Sequence, residues 1–201
     1  MTEPSKWVQI AQANPDHSTW YVERFRQMAA AGADLVGEAR LVDALVPRGA
    51  RILDAGCGPG RHGGYLAKAG HDVVGVDVDP VLIAAATEDF PDATWLVGDL
   101  AELDLPARGV AEPFDAILCA GNVMTFLAES TRAEVLRRMA LHLRADGRAA
   151  IGFGAGRGYD FPDFLADARA GGLVPDLLLS TWDLRPFEET SDFLVAVLRR
   201  A

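Results

Sequence analysis

A short apolar run that leads into three closely spaced glycines occupies residues 52–60 and reads ILDAGCGPG. The apolar run predicts a buried strand. Gly56, Gly58 and Gly60 lack Cβ atoms, which allows the unusual dihedral angles of a tight turn and lets a ligand approach the main chain. The segment therefore predicts a strand, a turn and then a helix beginning near Arg61, with a ligand lying across the strand tip.

Short apolar runs alternate with longer helical patterns from about Pro47 onward. This alternation predicts crossover units on a mostly parallel sheet and hence the α/β class. Strands are expected at residues 51–54, 72–76, 94–97, 114–119 and 148–153. Their apolar character fits strands that are buried on both faces.

The two ends of the chain follow different patterns from the middle. Beyond residue 154 we expect a helix at 161–170 and then an antiparallel hairpin of strands at 177–182 and 193–198. Before Pro47, two helical patterns cover about 18–31 and 33–45. We interpret residues 1–46 as a helical extension or lid of the same domain, and residues 47–201 as its main body.

Composition excludes several classes of function. The chain has 201 residues and a net charge of -10, so binding along nucleic acid would oppose repulsion from the phosphates. No apolar run approaches the roughly 20 residues that span a bilayer, and the N-terminus lacks a signal-peptide pattern, so we expect a cytoplasmic protein. The only two cysteines, Cys57 and Cys119, provide neither a disulfide scaffold nor a zinc-ligand pattern, and no metal site is predicted.

An acidic residue follows the second predicted strand, which ends in VVGVDVD. Asp77 lies about 20 residues beyond the glycine turn, where a carboxylate can accept hydrogen bonds from both hydroxyls of a ribose. The alternative is that Asp77 caps the helix after Pro80, but Asp79 is better placed for that purpose. The spacing favours an adenosine-type ligand.

A second acidic residue, Asp99 in LVGDL, follows the third predicted strand. Its side chain could accept a hydrogen bond from the exocyclic amine of adenine, and Leu100 could pack on the base. A Gly-Asp pair alone is more often a turn. Its order and spacing after Asp77 favour the binding role.

A nicotinamide-dependent oxidoreductase is an alternative for a glycine-rich turn of this kind. The dinucleotide fingerprint G-x-G-x-x-G/A, counted from Gly56, would place Arg61 at its last position, where close helix packing needs a small residue. This departure argues against hydride transfer.

Four segments taken together, ILDAGCGPG, VVGVDVD, GDL and FDAILCAGN, resemble the class I, seven-stranded S-adenosylmethionine-dependent methyltransferases, and the match spans most of residues 50–154. The resemblance implies a three-layer, doubly wound sheet of strand order 3-2-1-4-5-7-6 with the seventh strand antiparallel. It also implies S-adenosylmethionine as the cofactor.

The same resemblance implies a set of cofactor-binding residues. The methionine part would be surrounded by Asp54 and by the turn of Gly56, Cys57, Gly58 and Gly60. The ribose would be held by Asp77 and Val78, and the adenine by Asp99 and Leu100. Beneath the sulfonium would lie Cys119, Ala120 and Gly121. The alternative for both cysteines is that they are small, buried filler. Tyr21 shares a helix face with Phe25 and Met28, a pattern typical of core contact or of a lid over the cofactor.

Catalytic residues are not specified by any motif. Methyl transfer is an in-line displacement that depends chiefly on positioning the two reactants. The candidates are His17, Tyr21 and Asn122. An unperturbed imidazole has a pKa near neutrality, which suits a base, but a lone histidine before a helix is more often a surface or capping residue. Further residues that could face the acceptor are Trp20, Arg157, Tyr159, Trp182 and Arg185.

The acceptor is expected to be a small molecule. The segment CAGNVMTF stands where nucleic-acid and protein amine methyltransferases carry an Asn/Asp-Pro-Pro-aromatic motif, which argues against adenine-N6 and glutamine acceptors. Few residues remain beyond the fold itself for an acceptor-binding domain. Whether oxygen, nitrogen or carbon is methylated stays open, as do the oligomeric state and the alternative of a non-catalytic module that binds S-adenosylmethionine or S-adenosylhomocysteine.

Overall fold

The computed structural model describes residues 2–201 and is built around one seven-stranded sheet. The strands are β1 (Arg51–Ala55), β2 (Asp72–Asp77), β3 (Thr94–Val97), β4 (Phe114–Cys119), β5 (Leu143–Gly154), β6 (Leu173–Leu179) and β7 (Phe193–Arg200). Their spatial order is 3-2-1-4-5-7-6. The first five strands are parallel, and β7 runs antiparallel to both β5 and β6. The predicted class, strand order and antiparallel seventh strand are confirmed.

Eight α-helices accompany the strands in the described part of the chain. They are α1 (Lys6–Ala13), α2 (His17–Ala30), α3 (Gly37–Leu45), α4 (Arg61–Lys68), α5 (Pro80–Asp89), α6 (Val123–Phe126), α7 (Arg132–His142) and α8 (Phe161–Ala170). The helix after the glycine turn begins at Arg61, as predicted.

The helices cover both faces of the sheet, because successive strand residues point to opposite sides. On β1, Ile52 belongs to a buried cluster with Val42 of α3 and Leu66 of α4. Its neighbour Leu53 belongs to another cluster with Leu136 of α7. The result is three layers, with α3 and α4 on one face of the sheet and α7 on the other.

Several boundaries differ from the sequence-based expectation. The strand expected at 148–153 begins at Leu143, which pairs with Phe114. The register then shifts, and pairing with β4 resumes at Arg148 opposite Ala116. The strand expected at 177–182 is Leu173–Leu179 instead. Pro175 is tolerated there because β6 lies at the edge of the sheet and carries a bulge beside this residue. The chain then turns away at Ser180, whose amide donates to the carbonyl of Arg185.

The N-terminal helices also depart from expectation. The helix expected at 33–45 starts only at Gly37, because the Asp34 carboxylate accepts the Val36 amide and the guanidinium of Arg40, which holds the preceding residues in a loop. The helix α1 was not predicted, and none of its residues is buried. Its amino end is capped by Ser5, whose hydroxyl accepts the amide of Val8.

Between residues 2 and 201, no helix combines the length and the apolar character that crossing a membrane requires. Within the same range, no group of three or more His, Cys, Asp or Glu side chains is arranged to hold a metal ion.

Two glycines let α4 pack closely against Phe90, which follows α5, and against Trp95 of the edge strand β3. A Cβ atom added at Gly64 would lie 2.1 Å from a ring carbon of Phe90, and one added at Gly63 would lie 2.8 Å from the indole of Trp95. These distances are shorter than any stable carbon–carbon contact, so the packing of α4 depends on both glycines. The position of α4 matters because its first turn borders the glycine loop.

We expect Gly64→Ala to lower the free energy of unfolding by about 1–3 kcal/mol, because the added methyl group overlaps the Phe90 ring in a packed interior. Gly37→Ala is the control, since the new Cβ would meet only Arg40 Nη2 at 3.6 Å. It should leave stability unchanged or raise it by up to about 1 kcal/mol. Urea unfolding followed by circular dichroism measures both, and equal stability of Gly64→Ala and wild type would contradict the packing described.

Candidate functional site

A cleft of about 520 Å³ opens where the parallel strands end at their carboxyl termini. The segments that follow β1, β2, β3 and β4 all contribute to its lining, together with residues from α2, α3 and α4. In open parallel sheets, ligands bind at this edge, where neighbouring connections leave toward opposite faces. Here that point lies between the neighbouring strands β1 and β4. The helix α4, which follows β1, packs on one face of the sheet, and the helix α7, which lies between β4 and β5, packs on the opposite face.

The glycine turn after β1 forms the floor of the cleft. The amides of Gly56 and Cys57 both donate to the carbonyl of Val76, at 2.8 and 3.1 Å, which ties the turn to β2. Gly58 has φ of +54°, and a Cβ there would project to within 3.9 Å of the Tyr21 ring. The turn thus presents bare main chain to the space below Tyr21.

Asp77, at the end of β2, is buried and lines the same cleft. Its Oδ2 accepts the Gly58 amide at 2.9 Å and its Oδ1 accepts the Asp79 amide at 3.0 Å. Burial raises the pKa of Asp77 to about 6, although these two amides act in the opposite direction. A carboxylate offers about four acceptor positions, so each oxygen can accept one further hydrogen bond.

The residues after β3 lie next to Asp77 along the cleft. Asp99 and Leu100 line it, as does Val78 after β2. The Asp99 Oδ1 accepts the amide of Ala101 at 2.8 Å, which fixes the side chain at the start of a short 3-10 turn. The structure therefore brings the four residues predicted for ribose and adenine to one end of the cleft.

Three residues that are predicted to bind the cofactor, Asp54, Gly60 and Cys119, do not line the cleft. Asp54 is buried and accepts the amide of Gly63 at 2.9 Å, so it joins β1 to the first turn of α4. Gly60 is the N-cap of α4 with φ of +80°. Cys119 is fully buried, whereas Cys57 contributes to the lining. Burial raises the pKa of both thiols, which keeps them protonated.

The tip of β4 has an unusual backbone. Gly121 and Asn122 both have positive φ, of +73° and +64°. A non-glycine residue in this region is strained unless the surroundings hold it there. The Asn122 Oδ1 accepts the amide of Gly154 at 2.9 Å, so the side chain links the tip of β4 to the end of β5. Asn122 lines the cleft together with Ala120 and Gly121.

Tyr21 covers the glycine turn, and α1 braces it from outside. The Trp7 ring packs edge-on against Tyr21, with centroids 5.1 Å apart, and the Trp7 indole donates to Asp79 Oδ2 at 2.8 Å. Burial raises the pKa of the Tyr21 phenol. His17 packs between Trp7 and Trp20 and does not line the cleft, and Trp20 is 55% exposed.

Of the residues predicted to face the acceptor, some line the cleft and others lie elsewhere. Arg157 and Trp182 line the cleft beside the β4 tip. Tyr159 is buried, and its hydroxyl donates to Asp167 at 2.6 Å. Arg185 is exposed and lies 3.6 Å from Asp183. Only Arg157 and Trp182 of this group can contact a ligand in the cleft.

Charged residues that the sequence analysis did not assign to a ligand site also line the cleft. They are Arg24, Glu38, Arg61 and His62. The Glu38 carboxylate lies 3.2 Å from Arg61 Nη2 and 3.4 Å from His62 Nε2. Burial alone would raise the pKa of Glu38, but His62 and Arg61 together lower it to about 2. No sequence signal marks this group, because it forms only when α3 packs on α4.

The structure also explains the arginine that departs from the dinucleotide fingerprint. Arg61 does not pack between helix and sheet. Its guanidinium donates to the carbonyl of Leu35, contacts Glu38 and lies over the Phe25 ring at 5.1 Å from the centroid. The residue therefore connects α4 to the N-terminal helices.

Known proteins share both the sequence pattern and the fold. Residues 52–147 match the family model described as a methyltransferase domain. A crystal structure of a TehB-like SAM-dependent methyltransferase from Corynebacterium glutamicum is 55% identical in sequence, with a TM-score of 0.88. The match covers 94% of this chain and 100% of that one.

More distant relatives are longer proteins. The magnesium-protoporphyrin O-methyltransferase of Rhodobacter capsulatus is 30% identical over 67% of this chain and 63% of its own length. The trans-aconitate 2-methyltransferase of Azoarcus sp. is 32% identical over 72% of this chain and 53% of its own length. The chain thus spans between about half and two thirds of these curated relatives.

Two substitutions at Asn122 separate backbone strain from the loss of its hydrogen bond. Asn122→Ala and Asn122→Gly both remove the acceptor for the Gly154 amide, but only alanine must hold a Cβ at positive φ. We therefore expect Asn122→Ala to be less stable than Asn122→Gly by about 1 kcal/mol. Thermal or urea unfolding gives the difference, and the opposite ranking would contradict the described backbone.

Proposed function

The chain belongs to the S-adenosylmethionine-dependent methyltransferases, and from this membership we propose that it transfers the methyl group of the cofactor to an oxygen, nitrogen or carbon atom of a small-molecule acceptor. The observation that carries the proposal is that two sets of residues line the same cleft. The glycine turn, Asp77 and Asp99 line one end, and the β4 tip, Arg157 and Trp182 line the other. The cofactor can then lie at one end and the acceptor at the other, with the methyl group next to the accepting atom.

The lining fits the adenosine half of the cofactor. Asp77 retains acceptor positions that suit a pair of ribose hydroxyls, and its two amide contacts fix the carboxylate in place. Asp99 is likewise fixed by one amide and retains acceptor capacity for an exocyclic amine. Leu100 and Val78 add apolar surface for the base and ribose.

We assign the cofactor contacts accordingly. Direct contacts are proposed for Tyr21, Gly56, Cys57, Gly58, Asp77, Val78, Asp99, Leu100, Ala120 and Gly121. Asp54, Gly60 and Cys119 support these residues from behind, since they shape β1, the start of α4 and the end of β4.

Bound S-adenosylmethionine supplies an electrophilic methyl group on a positively charged sulfur. The protein's part is orientation, which can account for much of the acceleration of a displacement reaction. Asn122 fixes the β4 tip against β5, and Gly121 exposes main chain at the same point. Neither buried thiol is a suitable nucleophile, because only a thiolate attacks readily.

The three catalytic candidates receive different roles. His17 packs among aromatic rings outside the cleft, so we assign it a structural role. Tyr21 stays neutral and can donate one hydrogen bond while covering the cofactor. Asn122 positions the β4 tip. In this proposal, catalysis rests on proximity and on the exclusion of water.

The acceptor is proposed to lie between Arg157 and Trp182. The Trp182 ring covers Gly152 on β5, where a Cβ would approach it to 2.4 Å, so the indole forms a wall of the cleft. Arg157 is exposed and can meet an acidic group of the acceptor. Arg185 lies outside the cleft and is not assigned this role.

Residues 1–46 are proposed as an extension that closes the cofactor end, and residues 47–201 as the body of the domain. The described part of the extension starts at Thr2, whose hydroxyl donates to Glu102 Oε1 at 2.5 Å. The Glu3 carboxylate accepts the hydroxyl of Ser130, also at 2.5 Å. These contacts anchor the segment that brings Trp7 against Tyr21.

Isothermal titration tests the cofactor assignment. Wild type should bind S-adenosylmethionine and S-adenosylhomocysteine and should not bind NAD. Asp77→Asn should weaken both by about tenfold to a hundredfold, because hydrogen bonds from the ribose to a charged acceptor are lost. Binding of NAD alone, or unchanged affinity in Asp77→Asn, would refute the assignment.

The pH dependence gives a second readout of Asp77. Ribose hydroxyls donate to the ionised carboxylate, whose pKa in the free protein is raised to about 6. Affinity should therefore be greatest above pH 6 and fall below it, as protonation competes with binding. The ratio of wild-type to Asp77→Asn affinity should shrink as the pH falls from 8 to about 5. A constant ratio would contradict a role for the ionised form.

A matched pair of variants tests the cover over the cofactor. Tyr21→Ala should weaken S-adenosylhomocysteine binding by about tenfold, because it removes an aromatic surface from the cleft. Trp20→Ala changes an exposed neighbour on the same helix and should leave the affinity unchanged. Wild-type affinity in Tyr21→Ala would exclude the covering role.

A further inference from the structure

The loop between β5 and α8 carries an arginine that has no partner in the described part of the chain. Arg157 is exposed and lines the cleft. Among residues 2–201, no carboxylate oxygen lies within 4.0 Å of its guanidinium, and no other group accepts a hydrogen bond from it. The ammonium of Lys6 lies beside the same loop, 3.5 Å from where a Cβ on Gly158 would stand. Because a guanidinium has five donors and no acceptor, Arg157 offers the cleft a positive charge and donors alone.

The main chain is fixed on both sides of Arg157. Before it, the Ala155 amide donates to the carbonyl of Asp192 at 2.7 Å. After it, the carbonyl of Gly158 accepts a hydrogen bond from Arg132 Nη2 at 2.6 Å. The loop is thus tied to α7 and to the start of β7, and these ties hold the arginine at the edge of the cleft.

Asn122 supplies a second set of donors at the same place. Its Oδ1 accepts the amide of Gly154 at 2.9 Å, which fixes the orientation of the side-chain amide. Its Nδ2 donates to no group within residues 2–201, although the residue is half-buried and lines the cleft. Both N–H groups of the amide nitrogen are therefore free to bind a ligand.

Gly154 lies between the two donor groups. A Cβ added there would lie 3.2 Å from Arg157 Nε and 3.7 Å from Asn122 Oδ1, so both side chains border the space that a methyl group would occupy. The ring of Phe193 borders the same space, with its Cδ2 at 3.7 Å. The φ of Gly154 is not positive, so its backbone does not require glycine. What glycine provides here is open space between two donors and an aromatic ring.

An aromatic wall stands beside this space. Gly152 and Gly154 belong to the same strand and face the same side of the sheet, about 6–7 Å apart. The indole of Trp182 covers Gly152, where a Cβ would approach it to 2.4 Å. Trp182 and Phe193 pack on one buried cluster, and both line the cleft. A flat apolar surface therefore lies next to the two donor groups.

The carboxylates that line the cleft do not compete for Arg157. Glu38 is paired with two side chains of the first turn of α4. Asp77 and Asp99 accept main-chain amides, and they line the end of the cleft that is proposed for adenosine. The guanidinium of Arg157 is therefore available to an anionic group of a ligand.

We propose that the methyl acceptor is an aromatic carboxylic acid. Its carboxylate lies over Gly154 and accepts hydrogen bonds from Arg157 and Asn122, and its ring lies against Trp182 and Phe193. This inference rests on the proposed function above and specifies the class of acceptor. Arg157 and Asn122 are then the residues that determine specificity for an acid over a neutral analogue, because the planar guanidinium matches the geometry of a carboxylate.

Other classes of acceptor fit these residues less well. A cationic acceptor would be repelled by Arg157. A neutral one would gain no ion pair from the guanidinium. A small inorganic anion would satisfy the donors but would leave the flat surface of Trp182 in contact with water, whereas an aromatic acid satisfies the donors and covers that surface.

Pairs of ligands that differ only in charge test the inference. The protein is saturated with S-adenosylhomocysteine, and ligand-observed NMR gives the affinities of benzoate, cinnamate and indole-3-acetate and of the three corresponding amides. For at least one pair, wild type should bind the acid more tightly than the amide by about fivefold to tenfold, because only the acid forms charge-assisted hydrogen bonds with the guanidinium. Sulfate, and cyclohexanecarboxylate, whose ring is not flat, should bind more weakly than that acid.

Two substitutions should remove the preference for the acid. Arg157→Gln should bind the acid and the amide with nearly equal affinity, because the charge is lost. Asn122→Asp keeps an oxygen for the Gly154 amide and tolerates the positive φ, but it replaces the donor with a carboxylate and should favour the amide. Arg185→Gln is the control, since Arg185 is exposed and lies outside the cleft; it should keep the wild-type preference.

The outcomes separate the inference from the proposed function. If wild type binds S-adenosylhomocysteine but binds no acid more tightly than its amide, the inference is overturned and the proposed function stands. A preference for the acid that persists in Arg157→Gln and Asn122→Asp would also overturn it. Weaker binding of S-adenosylhomocysteine in Arg157→Gln would assign Arg157 to the cofactor and contradict the inference. Failure of wild type to bind S-adenosylhomocysteine would instead refute the proposed function itself.

Discussion

The buried carboxylate of Asp77 connects the parts of the molecule between which the cleft opens. One oxygen holds the amide of Gly58 in the turn after β1, and the other holds the amide of Asp79 at the start of α5. Burying a carboxylate is costly unless hydrogen bonds compensate, and burial raises the pKa of Asp77 to about 6 although its two amide partners act in the opposite direction. In the proposed function, a ribose with two hydroxyl donors fills the remaining acceptor positions, so the carboxylate that shapes the cleft also selects the ligand.

The remaining features of the cleft follow from that fixed point. Bare main chain at Gly58 leaves space below Tyr21, and α1 holds Tyr21 in place through Trp7. Asn122 fixes the neighbouring strand tip by bonding to Gly154. The strand ends thus define the floor of the cleft, and side chains of the N-terminal helices line it from the other side. Such an arrangement suits a reaction that depends on holding two reactants close together.

The sequence predicted most of the strands and the acidic residues at their ends, because buried parallel strands and glycine turns leave local signals. The strand order came from the family resemblance and is confirmed. It did not predict the contact between Glu38 and His62, since these residues are distant in sequence and meet only through the packing of α3 on α4. Asp54, whose role at the cofactor stays a prediction, accepts the amide of Gly63 and does not line the cleft. The edge strand β6 was misplaced because Pro175 resembles a turn, and that residue is tolerated only where a strand has one neighbour.

The most direct test is a crystal structure of the protein with S-adenosylhomocysteine. The account predicts that both ribose hydroxyls bond to the carboxylate of Asp77, that adenine lies beside Asp99 and Leu100, and that the chain of the ligand crosses the glycine turn beneath Tyr21. A ligand bound with its ribose away from Asp77, or outside this cleft, would contradict the account.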